Sequence, residues 1–172
     1  MKATLFTVTL ILSLAIPETV QAKTLIDNHS LSLQRSVNET QIAQSPDPIS
    51  LGQAADLITQ WLTAKSRIFA PPFDRQLVSQ LTTGTLYNDT LKAIDFLRDN
   101  DAFYQYGVQK VESVERFAAS GNKATIEVKV TEDTTLYKRG QIIESSFNTK
   151  LVRYNLEEWD GIWKIANSQV LN

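Results

Sequence analysis

The sequence has no cysteine and a single histidine among its 172 residues. Without cysteine there is no disulfide framework, no thiol nucleophile, no thiolate metal site and no lipidated N-terminal cysteine. His29 stands alone in a polar stretch, so neither a multi-histidine metal site nor a Ser-His-Asp triad can be assembled. An excess of one charge is missing too: 17 Lys and Arg stand against 19 Asp and Glu, a net charge of −2. That balance offers no basic field to nucleic acid or to an anionic membrane. No cofactor is expected. Nothing in these absences prevents the chain from building an ordinary hydrophobic core, which must then hold the fold unaided.

Long apolar runs are scarce as well, and the one present lies at the start. Met1-Lys2 gives a positive end, Leu5 to Ile16 is apolar apart from Thr7, Thr9 and Ser13, and Pro17 precedes Val20-Gln21-Ala22. This is the pattern of a secretory signal with a V-x-A cleavage site. Its core is about 12 residues long, against roughly 20 for a spanning helix. Residues 1–22 are therefore expected to be removed, leaving a protein that works in the periplasm or outside the cell with no stable membrane insertion. The alternative, drawn from the single Lys of the n-region, is an uncleaved signal that anchors the chain.

Residues 23–49 are rich in Ser, Asn, Gln, Thr and Asp, end near Ser45-Pro46-Asp47-Pro48, and read as a flexible polar spacer. The folded domain is expected over residues 50–172. Ser50 with Gln53 forms a capping box that opens a helix to about Phe69, and Pro71-Pro72 stops it. Asp74 caps a short second helix carrying Leu77, Val78 and Leu81. After Gly84 a third helix spans about residues 85–101, with Leu86, Tyr87, Leu91, Ile94 and Leu97 as its buried stripe.

Beyond Asp101 the apolar period changes from helical to alternating. Four strands are predicted, at about 104–117, 123–137, 142–158 and 162–170, separated by Ser120-Gly121-Asn122, Lys138-Arg139-Gly140 and Asp160-Gly161. Helices first and strands afterwards make an α+β fold: three N-terminal helices packed on a strongly curved four-stranded antiparallel meander. Strands of this length need bulges, expected around Val108 to Val114 and Phe147 to Val152. The result is a cone with a concave interior.

Polar residues that fall on apolar faces are the candidates for function. At about 100° per residue, Lys65 lies in the stripe formed by Ala54, Leu57, Ile58, Trp61, Leu62, Ile68 and Phe69, whereas Arg67 is opposite. A cation there must snorkel, pair with an acid or bind an anion. Strand parity puts Glu132 inward with Ala124, Ile126, Val128 and Val130, and Tyr154 inward with Val152 and Leu156, leaving Glu127 and Arg153 outward. Lys65, Glu132 and Tyr154 are thus expected to form one polar cluster in the cone. Phe103, Tyr104 and Tyr106 fall near its mouth, where they serve either as core or as a rim that holds a ligand.

Several segments together resemble a known family. They are Trp61-Leu62-Thr63-Ala64-Lys65-Ser66-Arg67, Ala70-Pro71-Pro72-Phe73-Asp74, Leu81-Thr82-Thr83-Gly84, Phe103-Tyr104-Gln105-Tyr106 and Ala124-Thr125-Ile126-Glu127-Val128. Glu132, Leu136-Tyr137, Val152-Arg153-Tyr154-Asn155-Leu156 and Trp163-Lys164-Ile165 complete the set. In this order and spacing they are similar, over residues 50 to 171, to the intermembrane-space (IMS) domain of the chloroplast division protein of the inner envelope, the accumulation-and-replication-of-chloroplasts family. Related domains occur in cyanobacterial proteins, some of them stand-alone.

The resemblance implies a non-catalytic recognition domain of nuclear-transport-factor-2-like shape that grips the C-terminal tail of an envelope partner. It implies Lys65, Tyr104, Tyr106, Glu132, Arg153 and Tyr154 as the binding residues. The J-like region, transmembrane helix and stromal part of the plastid protein have no counterpart here, so no direct link to the cytoplasmic division ring is implied. The competing reading is a small isomerase or dehydratase that uses Glu132 and Tyr154. A third is a structural subunit of an envelope complex, which an exposed apolar patch on the outer sheet face would mark.

Overall fold

The computed structural model describes residues 48–171. The signal segment 1–22, and the spacer as far as residue 47, lie outside the described residues. Helix α1 (Leu51–Ile68) opens on a complete capping box: the Ser50 amide donates to Gln53 Oε1 at 2.9 Å and the Gln53 amide donates to Ser50 Oγ at 3.3 Å. Ile49, just ahead of the cap, is already buried in the core. Helix α2 (Arg75–Leu81) is capped by Asp74, whose Oδ1 accepts from the Leu77 amide at 3.1 Å. Helix α3 (Gly84–Asp99) starts where the chain runs close against the sheet. Gly84 has φ +55°, and a Cβ there would lie 3.2 Å from the Ala166 carbonyl oxygen, so glycine satisfies both the turn and the contact. The Thr83 amide donates to the Ile165 carbonyl at 2.9 Å and fixes this junction.

The sheet is a meander in the order β1-β2-β3-β4, built of β1 (Ala102–Ser120), β2 (Lys123–Lys138), β3 (Gln141–Trp159) and β4 (Ile162–Leu171), every neighbouring pair antiparallel. Arg139 and Gly140 turn the second hairpin and Asp160 and Gly161 the third, all four with positive φ, the backbone that tight hairpins demand. Helices α1 and α3 lie against β1 and β4 on one face of the sheet. That face supplies Ile126, Val128, Val130, Leu156 and Ile165 to a core shared with Ile58, Leu62, Ile68, Val78 and Ile94. The architecture is the expected α+β arrangement.

Bulges bend β1 at three places, between Tyr106 and Gln109, Val111 and Ser113, and Val114 and Arg116, within the stretch where the sequence alternation slips. The second expected bulge is absent. From Phe147 to Val152, strand β3 pairs without interruption with Asp133 to Val128. The slip there has another cause: Phe147 and Leu151 share the convex face, where Phe147 is 69% exposed, so two apolar residues point away from the core without any extra residue. The extra residue of β3 is instead Ile143, opposite Leu136/Tyr137, and the irregularity beside Asn155/Leu156 is an extra residue of β4, Ala166. Gly107, at the first β1 bulge, is crowded in space rather than constrained in φ: a Cβ on it would meet Asp133 Oδ2 at 2.3 Å, so that carboxylate would have to turn aside.

Candidate functional site

A recess of about 270 Å³ opens on the concave face between α1, α3 and the sheet. The apolar periodicity of α1 carries Lys65 to its wall, and β2 and β3 bring Glu132 and Tyr154. Lys65 Nζ donates to Glu132 Oε1 at 2.5 Å, with side chains 15% and 22% exposed. The ammonium also stands 5.9 Å from the centre of the Trp61 ring, where the face of the aromatic system attracts a cation. Lys65 therefore answers the problem posed by its position by pairing with an acid and leaning on an indole.

Tyr154 is buried, and burial together with the Glu132 carboxylate pushes its phenol well above the ordinary tyrosine value of 10.0. Tyr106 is pushed up in the same direction by burial, by Glu132 and by Tyr104. Both remain neutral phenols that can donate a hydrogen bond. An aromatic chain leads away from the recess along the inner side: Trp61 meets Phe69 edge-on at 6.3 Å, Phe69 meets Tyr106 at 6.4 Å, and Tyr106 meets Tyr104 at 6.1 Å. Tyr104 is half-buried, and its phenol is raised by burial and by Glu144.

The six sequence-predicted residues thus divide. Lys65, Glu132 and Tyr154 share the recess, Tyr106 and Tyr104 continue from it, and Arg153 lies on the other side of the sheet. There Arg153 Nε and Nη2 both donate to Glu127 Oε1, at 2.9 and 2.7 Å, while Arg116 Nε lies 3.6 Å from Oε2. Two guanidinium groups so cover Glu127 that it is only 7% exposed on the convex face. They border a separate open groove of about 600 Å³ together with Thr125, Asn155 and Gln169.

Two further residues escaped the sequence reading, one at the recess and one beside Glu132 in the sheet. Lys150 is exposed at its edge, on the same β3 parity as Val152 and Tyr154, a signal that counting by twos could have found. Gln109 is the cross-strand partner of Glu132, and its buried Oε1 has no hydrogen-bond partner. It lies beyond a bulge, where parity counted along β1 no longer holds.

Three helices packed on one face of a four-stranded antiparallel meander define an α+β domain. The chain belongs to the ARC6-like, IMS domain family, whose model matches residues 54–166. The crystal structure of the intermembrane space region of the chloroplast protein ARC6 matches with a TM-score of 0.66 at 20% identity, covering 72% of this chain and 97% of that one. A Nostoc punctiforme protein of unknown function with a cystatin-like fold matches with a TM-score of 0.39 at 9% identity, over 72% of this chain and 93% of that one. An uncharacterised Caulobacter vibrioides protein, also described as cystatin-like, reaches 0.40 at 12% identity, over 72% and 92%. No curated protein matches the chain. Among the described residues no helix is long and apolar enough to cross a membrane.

Proposed function

We propose that this chain is an exported, non-catalytic binding module that holds a protein tail or small ligand in the concave recess or at its rim. The observation that carries the reading is the Lys65–Glu132 pair inside that recess. A general acid or base must exchange a proton with substrate, and the only acid of the expected Glu132/Tyr154 constellation is already bound to an ammonium. The base of the isomerase reading is thus held by an ammonium, and Asp89, the other acid lining the recess, has Lys92 Nζ at 3.2 Å.

On the sheet side of the recess donors remain to meet a ligand. Tyr154 offers its phenol, and Lys150, exposed, joins none of the ion pairs among the described residues. The sequence pointed to Lys65 as the receptor for a terminal carboxylate; with Lys65 engaged, Lys150 takes that role by charge-assisted hydrogen bonding. The volume of about 270 Å³ is at or below the lower end of pockets that enclose a whole small ligand, about 300–1,000 Å³. It suits a side chain or a chain end. Export follows from the signal pattern of residues 1–22, and membership of an intermembrane-space family agrees with work outside the cytoplasm.

The test is an array of short synthetic peptides copying the C-terminal tails of envelope proteins, each as free acid and as amide, probed with the purified chain. Binding of particular tails as free acids only, lost in Lys150→Glu, is expected. Equal binding of acids and amides, or no binding, would overturn the tail reading.

A further inference from the structure

Strand β3 is longer than its outer neighbour. Strand β4 pairs with it only from Leu151 to Trp159, while β3 begins at Gln141 and is paired on its other side with β2 as far as Glu157, Ile143 excepted. From Gln141 to Lys150, roughly 30 Å of strand at about 3.4 Å per residue, the backbone on the β4 side has no partner among the described residues. Ile142, Ile143 and Phe147 are 61%, 56% and 69% exposed, so no helix or loop among the described residues packs over their side chains. An open edge presents a row of unpaired amides and carbonyls and is a template for another strand. Natural sheets usually blunt such edges with proline, charge or bulges. Here the irregularity at Ile143 and the charge of Lys150 bracket the edge and leave Glu144 to Thr149 open between them.

We infer that this edge is a strand-addition site for an extended peptide segment of a partner protein, with a bulky apolar side chain beside Phe147 and an acidic one beside Lys150. The chemistry follows from parity. Phe147 is on the convex face with Ser145 and Thr149; Lys150 is on the concave face with Asn148 and Ser146, at the mouth of the recess. A strand laid here therefore meets an apolar contact on one face and an unpaired cation on the other, three positions apart. Backbone hydrogen bonds supply affinity in this mode and the side chains on alternate faces supply specificity.

A second copy of the chain fits less well. The register that would pair Glu144 of one copy with Lys150 of the other drives the partner's hairpin end into the place β4 already occupies beside Leu151. Sliding the copies apart to relieve that collision brings Glu144 opposite Glu144. A slender peptide meets neither obstacle. The inference rests on the proposed function in taking a protein segment as the ligand, and adds a backbone-recognition edge outside the recess.

The experiment is fluorescence anisotropy of the full chain with a labelled peptide alternating valine and threonine, with one phenylalanine and, three positions on, one aspartate. Two further versions carry N-methyl groups on one or the other alternate set of backbone amides. Only one set faces β3 in a strand, so one version is expected to lose at least tenfold in affinity and the other little. Phe147→Asp is expected to weaken the parent peptide at least tenfold, and Lys150→Glu to do the same until the peptide aspartate is changed to lysine. No binding, equal effects of the two N-methylated sets, or indifference to Phe147→Asp would each overturn the inference. Free-acid tails that still bind Phe147→Asp would leave the recess reading standing while this one fails; a strand peptide that binds where no free-acid tail does would reverse that outcome.

Discussion

Lys65 and Glu132, 67 positions apart in the sequence, meet at 2.5 Å on the concave side of the sheet. The contact joins the first helix to the second strand at the point where the apolar core gives way to the recess. Its two ends are partly shielded, 15% and 22% exposed, so the pair lies between a surface ion pair worth little and a buried one that is costly to break.

Lys65→Met keeps the length and the apolar stem of the side chain but leaves the Glu132 carboxylate without its cation. The expected loss of stability is about 1–2 kcal/mol, discounted from the fully buried case for solvent access. Adding Glu132→Leu is expected to recover most of it, because removing both partners leaves no orphaned charge. Urea denaturation of the two single variants and the double variant measures both terms. A double variant whose loss equals the sum of the two single losses would show that the two side chains are not coupled.

The two shielded phenols give the protein an alkaline limit. Tyr106 and Tyr154 are raised above their ordinary value of 10.0 in the folded state, whereas in the unfolded chain they ionise near that value. Above about pH 10 the unfolded state therefore sheds protons that the folded state retains, and stability falls as pH rises. Below it the contribution is complete and flat. Melting temperatures from pH 8 to 11 are expected to drop less steeply in the Tyr106→Phe/Tyr154→Phe double variant than in the wild type. Parallel profiles would assign the alkaline fall to other groups.

Much of this architecture was legible because local chemistry and global fold agree. The capping box at Ser50, the Asp74 cap and the glycine turns each mark a boundary through backbone hydrogen bonding, and the change of apolar period at Asp101 separates helices from sheet. Helical periodicity for Lys65 and strand parity for Glu132 and Tyr154 also placed the three together, since alternation along a strand is reliable where no residue is inserted. It failed where spacing stops counting faces. Gln109 sits behind a bulge, and Phe147 and Leu151 imitate a bulge by exposing apolar side chains. Arg153 entered the candidate set by resemblance although its own parity pointed outward, and parity describes its position. The length of free edge on β3 depends on where β4 ends, a tertiary fact that no strand announces by itself.

Gly107→Ala tests the packing at the first bulge. The added methyl would fall 2.3 Å from Asp133 Oδ2 and 2.9 Å from its Cγ, so the aspartate must rotate or the two strands must separate. Overpacking of this kind costs about 1–3 kcal/mol. Asp133→Ala in the same chain removes the two nearest atoms and is expected to restore most of the loss, read as the midpoint of chemical denaturation. A Gly107→Ala protein as stable as wild type would mean that the aspartate rotates freely into solvent.

Arg153→Ala separates the two faces of the sheet. Its guanidinium makes two hydrogen bonds to Glu127, and with it gone only Arg116, at 3.6 Å, faces a carboxylate side chain that is 9% exposed. Leaving a shielded carboxylate under-satisfied is expected to cost about 1–2 kcal/mol. Recess binding is expected to stay unchanged, because the side chain points away from Lys65, Lys150 and Tyr154. Arg153→Lys retains the charge but not the two-nitrogen grip on Oε1, and is expected to recover only part of the stability. Thermal melts of both variants, set beside their binding of free-acid tails, read stability and recognition independently. If Arg153→Ala folded fully but lost tail binding, the convex groove bounded by Arg116, Glu127 and Arg153 would replace the recess as the place where the tail is held.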